Sequence, residues 1–287
     1  MFYQYPLPVD AGKDVSALVT LTSAESKRLI ARGVAAMPEV KKAQETGIII
    51  IARGTTNTFV AEEVMGTSIE QKGEYSRGII TGGELNVNRR RGVGNDFVLK
   101  DGKLWDISPR EVFPQFGRDD VFFKGASAVD AAGEAAVLVA GADAGTIGAA
   151  LPSMIARSAN LIVPVGLEKL VPSVADAIRK CGVFNYKYSI GYPCALIPLV
   201  NAKVVTEIQA LGILSGVRAT HVASGGIGGS EGAVVLVVEG TEENMERAIS
   251  LLKTIKGEPP VPSPEIMGPP SAGLNYDAKA IQDANRH

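Results

Sequence analysis

Four isoleucines in a row, Ile48–Ile51, run straight into Ala-Arg-Gly-Thr-Thr-Asn-Thr and then into an apolar-periodic stretch that stops at Gly66. A β-branched run this short, with no polar face, predicts a strand buried on both sides, as in a parallel sheet covered by helices. A chain that leaves such a strand through Arg53-Gly54-Thr55-Thr56-Asn57-Thr58 can use the loop in two ways. One Thr or Asn caps the next helix and the rest is ordinary turn. Alternatively the loop cradles an anion. First-turn N–H groups and the helix dipole favour negative charge there, Arg53 adds a fixed positive charge, and the hydroxyls and amide add donors. Gly54 would let the backbone come close to a ligand. The spacing is neither a Walker loop nor the Gly-x-Gly-x-x-Gly dinucleotide fingerprint.

The surrounding pattern alternates strands and helices. Ser23 is the expected cap of a helix that carries Leu29, Ile30, Val34 and Met37 at helical spacing. Pro38 opens a second helix that Gly47 ends. After Gly66, "GIITGGEL" reads as strand, and "DFVLKDGKLWDI" as a hairpin turning at Asp101-Gly102. "SPREVFPQF" opens a helix, "DDVFFKG" is a strand ending at Lys124-Gly125, and "AAVLVAGADAG" fits either strand or helix. "GAALPSMIARSA" is a helix, "NLIVPVGLEKL" a strand then loop, and "VPSVADAIRKCG" a helix. This order predicts a mostly parallel, Rossmann-like α/β sheet over residues 1–190. From Tyr192 the rhythm changes. "CALIPLV" reads as strand, "AKVVTEIQALGILSG" as helix, then come two strands around "SGGIGGSEG" and a helix capped by Thr241. The βαββα order predicts a smaller ferredoxin-like α+β domain over residues 191–257. Residues 258–287 are rich in proline and read as an extended tail.

Composition narrows the function classes. The 287 residues are 46% hydrophobic and 21% charged with a net charge of −2, so no basic surplus points to nucleic acid. No apolar run approaches the ~18 residues of a membrane span, and the N-terminus lacks the pattern of a signal peptide. Cys181 and Cys194 are too few for a disulfide framework, which suits a cytoplasmic protein. Neither His221 nor His287 has a His or Cys neighbour at ligand spacing, so no metal and no cofactor is expected. His221 and Trp105 read as structural, and Glu231 as a turn residue.

"TSAESKRLIARGVAAM…GIIIIARGTTNTFVAEEV" resembles the opening of the ribose-5-phosphate isomerase, glucosamine-phosphate deaminase and CoA-transferase superfamily. Its members place a Gly-Thr-rich, phosphate-gripping loop after a helix and a strand. "DDVFFKGASAVDAAG" resembles the superfamily's second loop, and "ARSANLIVPVGLEKL" its later strand with a lysine soon after. The likeness covers roughly residues 20–185. It implies the fold and, in the isomerase branch, the small ferredoxin-like domain. The sequence also departs from the pattern. Lys124 and Ser127 stand where the isomerases carry carboxylates, with only Asp130 acidic. "GADAGTIG", residues 141–148, lacks the expected lysine, so a positioned base for proton shuttling is missing from its usual place.

The candidate ligand-binding residues are therefore Arg53, Gly54, Thr55, Thr56, Asn57 and Thr58 in the first loop. Gly125, Ala126 and Ser127 contribute in the second, and Gly141 and Asp143 in the third. Lys124 and Asp130 are the candidate catalytic pair. The expected partner is a small anionic metabolite, phosphorylated, carboxylated or CoA-linked, acted on by a divergent isomerase or transferase that forms a homo-oligomer. The alternative is a ligand-sensing or interaction protein that keeps the fold without catalysis. Arg89, Arg90 and Arg91 read as a solvated edge or a contact to substrate or partner.

Overall fold

The computed structural model describes residues 1–6, 15–88 and 96–266. Arg89–Arg91, His287 and the tail beyond residue 266 lie outside the described residues. In chain order the elements are β1 (Val15–Leu21), α1 (Ser23–Ala35), α2 (Pro38–Thr46), β2 (Ile48–Ile51) and α3 (Thr55–Met65). A hairpin follows, β3 (Gly78–Thr81) and β4 (Glu84–Val87), then β5 (Phe97–Lys100), β6 (Lys103–Leu104) and the short α4 (Pro109–Val112). Next come β7 (Val121–Phe123), β8 (Ala128–Val129), β9 (Ala135–Val139), α5 (Gly145–Arg157), β10 (Asn160–Pro164) and α6 (Val174–Lys180). The chain continues with β11 (Ala195–Pro198), β12 (Lys203–Val205), α7 (Glu207–Ser215), β13 (Arg218–Gly225), β14 (Ala233–Gly240) and α8 (Glu242–Lys253).

The main sheet has six strands in the order β12-β10-β7-β2-β5-β6. The first four are parallel, and β5 and β6 add an antiparallel edge. Alternation of side chains across the pleat explains the isoleucine run. Ile49 and Ile51 enter one apolar cluster with α1, α3 and α7, while Ile50 enters the cluster on the other face with α4 and α5. β7 does the same with Phe123 on the first face and Phe122 on the second. Both faces are covered, so every position of these strands is apolar.

Helix starts follow local chemistry. Thr22, one residue before the expected Ser23, caps α1. Its hydroxyl accepts from the Glu25 N–H, and the Glu25 carboxylate accepts from the Thr22 N–H. That reciprocal capping box outweighs a lone serine. α7 begins later than the helical reading of "AKVVTEIQ". Val204 and Val205 pair with Val163 and Pro164 as β12, and a second capping box, Thr206 with Gln209, starts the helix behind them. α1 and α7 cross in close contact, where a Cβ at Gly33 would stand 2.7 Å from the Ala210 Cβ.

The C-terminal unit differs from the expected ferredoxin-like arrangement. β11 pairs with β9 in a three-stranded sheet β11-β9-β8, and β12 belongs to the main sheet. The small antiparallel sheet is β1-β14-β13, so its third strand comes from the N-terminus. The division at residue 190 therefore does not coincide with the partition into sheets. Residues 258–266 run extended along the body, where Glu258 pairs with Arg28 on α1. Among the described residues no helix is long and apolar enough to cross a membrane.

Candidate functional site

The four parallel strands end on one edge, and the residues that follow them face one another there. β2 leads to Arg53, β7 to Lys124, β10 to Glu168 and Lys169, and β12 to Glu207. Ligands in open α/β sheets gather outside such carboxyl ends.

The first loop divides into closed and open donors. The Gly54 N–H donates to the Tyr75 carbonyl at 2.9 Å, and the Thr58 N–H to the Gly54 carbonyl at 3.0 Å. The amides of Thr55, Thr56 and Asn57, which form the first turn of α3, have no acceptor among the described residues, and no side chain caps the helix. These are the orphan donors of a helix start. Asn57 is buried between the strand ends, with Nδ2 donating to the carbonyls of Ala52 and Phe123 at 2.7 and 3.2 Å. Its Oδ1 and the Thr56 Oγ1 are buried with no hydrogen-bond partner among the described residues. Gly125 lies against that Oδ1, at 4.0 Å from where its Cβ would be.

Cations gather beside this turn. Lys124 makes one weak hydrogen bond, 3.5 Å from Nζ to the Gly125 carbonyl. Burial lowers its pKa to about 8; Asp96 opposes the shift, while Lys169 and Arg53 add to it. Lys169 donates to the Ala126 carbonyl at 2.9 Å. Burial brings it to about 8 as well, against the attraction of Glu168 and Glu207 and with the repulsion of Lys27. Arg53 is tied to Asp96, whose Oδ1 accepts its backbone N–H at 2.7 Å and lies 3.7 Å from its Nε. The Thr146 hydroxyl from the first turn of α5 donates to the other Asp96 oxygen at 3.1 Å.

A second layer holds Lys169 in place. Lys27 on α1 pairs with Glu168 at 2.8 Å. Burial alone would raise the Glu168 pKa, but Lys27 and Lys169 hold it below the usual carboxylate value. Glu207 is fully buried and accepts the Leu167 N–H at 3.0 Å. Burial raises its pKa against that hydrogen bond. Gly232, just before β14, abuts this layer, with its would-be Cβ 3.1 Å from the Glu168 carboxylate.

Other expected site residues have different work. Asp130 is buried, and its carboxylate accepts the backbone N–H groups of Ala132, Glu134 and Val174. Three amides hold it as a turn organiser, which corrects its expected place in a catalytic pair with Lys124. The Ser127 hydroxyl accepts the Leu138 N–H at 3.1 Å and serves the β8–β9 turn. Ala126 takes part through its carbonyl. Asp143 is exposed, pairing with Arg110 and accepting the Gly145 N–H, and Gly141 lies in the same surface turn. The third loop thus meets the site through Thr146. Glu231 accepts the Gly229 N–H within its turn, as expected. His221 bonds Ser224 in the small sheet.

Two shallow depressions, about 230 and 400 Å³, open at the opposite edge of the main sheet, beside Asn160 and Lys203 where β10 and β12 begin. The first is lined by the end of α5, the β10 start and the turn into β12, and the charges of the second are largely paired with one another, as in Lys203–Glu39 and Lys42–Asp119. The open amides and the weakly bonded lysine lie at the other edge, and the candidate site is placed there. No protein-family model matches this chain, and no curated protein or solved structure does either.

Proposed function

We propose that the protein binds a small metabolite carrying a phosphate, carboxylate or CoA-linked group at the C-terminal edge of its parallel strands. The anionic group sits on the Thr55–Asn57 amides, flanked by Arg53, Lys124 and Lys169. One observation carries this reading: the charges of Arg53 and Lys169 act on Lys124 against that of Asp96, beside a helix start whose amides lack acceptors among the described residues. Bringing like charges together under partial burial is unfavourable unless something offsets it, and a bound anion does so. The order of strand, Gly-Thr loop and helix on a mostly parallel sheet also supports membership, as a divergent branch, of the ribose-5-phosphate isomerase and CoA-transferase superfamily. The use of Asp130 as a turn organiser favours the reading of a binding protein over that of an isomerase working through a carboxylate.

The test uses sulfate, which stays a dianion across the range studied. A ligand specific for the folded state raises the melting temperature in proportion to the logarithm of its concentration. We expect stabilisation that follows this logarithmic law and is strongest below pH 8. It falls as pH rises past 8, because Lys124 and Lys169 lose their charge near that value rather than at 10.5. No stabilisation of that logarithmic form, or an effect level up to about pH 10 where an ordinary lysine stays charged, counts against the site.

A further inference from the structure

We propose that Lys124 is a carbonyl-reactive amine. The metabolite held at this edge is then a carbonyl compound bearing an anionic group, a 2-oxo acid or a phosphorylated aldehyde or ketone, taken as an imine on Nζ. This inference rests on the anion-binding reading above and adds the substrate class and a covalent step to it.

A hydroxyl becomes a nucleophile only beside a base. Asp96, the carboxylate whose charge acts on Lys124, is held by Arg53 and Thr146. Asp130 is held by three amides. His221 bonds Ser224 in the small sheet, and Cys194 and Cys181 lie beside Tyr186 on the segment after α6. The amines remain. Of the two at the strand ends, Lys169 is anchored to the Ala126 carbonyl at 2.9 Å, whereas Lys124 has only a marginal contact at 3.5 Å. Lys124 also keeps partial exposure, at the end of a fully buried strand. A lysine desolvated next to another cation is the arrangement that yields an amine nucleophile near neutral pH. Burial and those cations hold Lys124 at about 8, so an appreciable fraction is uncharged there.

The step balances without a redox partner. The neutral Nζ attacks the carbonyl carbon, a C–N bond forms, and the π pair moves to oxygen. The neighbouring Lys169 ammonium relays one proton from nitrogen to oxygen and then gives its own to the hydroxyl. Water leaves as the C–O bond breaks and the nitrogen lone pair closes the C=N bond. The products are an iminium on Lys124, a neutral Lys169 and one water; nothing is oxidised or reduced.

The intact protein is incubated at pH 8 with pyruvate in one arm and glyceraldehyde 3-phosphate in the other. Sodium cyanoborohydride is present to trap an imine as a stable amine, and the adduct is mapped by peptide mass spectrometry. We expect one adduct, on Lys124, favoured in one arm and suppressed by excess sulfate. The favoured arm tells a carboxylate from a phosphate ligand. Lys124→Arg keeps the charge and should lose the adduct with its melting temperature held. The wild-type map decides the question even where that variant fails to fold. Labelling spread over exposed lysines such as Lys42 and Lys253, or no adduct in either arm, overturns the inference. If sulfate still stabilises the protein in that case, the binding reading stands alone. If sulfate neither stabilises nor protects, the binding reading falls too.

Discussion

Gly54 separates what the fold needs from what a ligand needs. Its φ of 163° is extended backbone open to any residue, and an added Cβ would come no nearer than 3.9 Å to the Asn57 side chain. Nothing among the described residues calls for glycine there, so the absent methyl leaves room in front of the Thr55–Asn57 amides. Gly54→Ala should keep the melting temperature and weaken sulfate binding by about tenfold, or about 1.4 kcal/mol. Sulfate titrations beside thermal melts check this; full affinity in a folded variant would mean that the anion does not approach from that side. At this scale the turn from strand to helix was readable, since the isoleucine run gives way at Gly54 to a helix that starts at Thr55. The sequence misled at Asp130, because an acidic residue after a Gly-Ala turn looks the same whether its carboxylate faces a ligand or gathers backbone amides.

At the scale of elements, α3 is aimed by a single buried side chain. Asn57 ties the first turn of the helix to the ends of β2 and β7, through the carbonyls of Ala52 and Phe123. The Phe123 carbonyl also accepts the Ala52 N–H, so it keeps a partner without Asn57. Asn57→Ala should therefore strand mainly the Ala52 carbonyl, at a cost of about 1–3 kcal/mol. Chemical denaturation would measure this, and an effect near zero would show that water replaces the amide. The elements that build this junction were legible because each carries its own signal: a β-branched run, a hydroxyl-rich turn, and a helical period. β1 and β12 were not. In β1, Val15, Ala17, Val19 and Leu21 turn inward, but Leu18 between them is 70% exposed and erases the alternation. β12 is only three residues long and abuts a capping box, so its valines read as the start of α7.

At the scale of the molecule, one apolar cluster joins the sheets. It runs from Ile49, Ile51 and Phe123 of the main sheet through Leu29 and Leu211 on the helices to Val234, Leu236 and Val238 of the small sheet, with Leu21 of β1 inside it. The candidate site draws on the same assembly, since Lys27 comes from α1, Lys169 from the end of β10 and Glu207 from the start of α7. Lys27, Asp96, Glu168 and Glu207 were missed because they meet only through the packing of distant segments. Asking of every parallel strand which residue follows its carboxyl end would have found Lys169 and Glu207 beside Lys124. A shared core also predicts how the chain unfolds. Residues 191–257 have no core separate from β1, α1 and the main sheet, so loss of the small sheet should unravel the whole. Leu21→Ala removes a side chain that is 1% exposed at the join and should cost about 2–5 kcal/mol. Unfolding followed by far-ultraviolet circular dichroism reports all elements. The fluorescence of Trp105, the sole tryptophan, reports the face of the main sheet opposite that join. For one cooperative body the two probes trace a single transition, and in Leu21→Ala both midpoints move together. A circular dichroism transition that shifts while the tryptophan transition stays would show that the small sheet melts on its own, and that the main sheet holds its site without it.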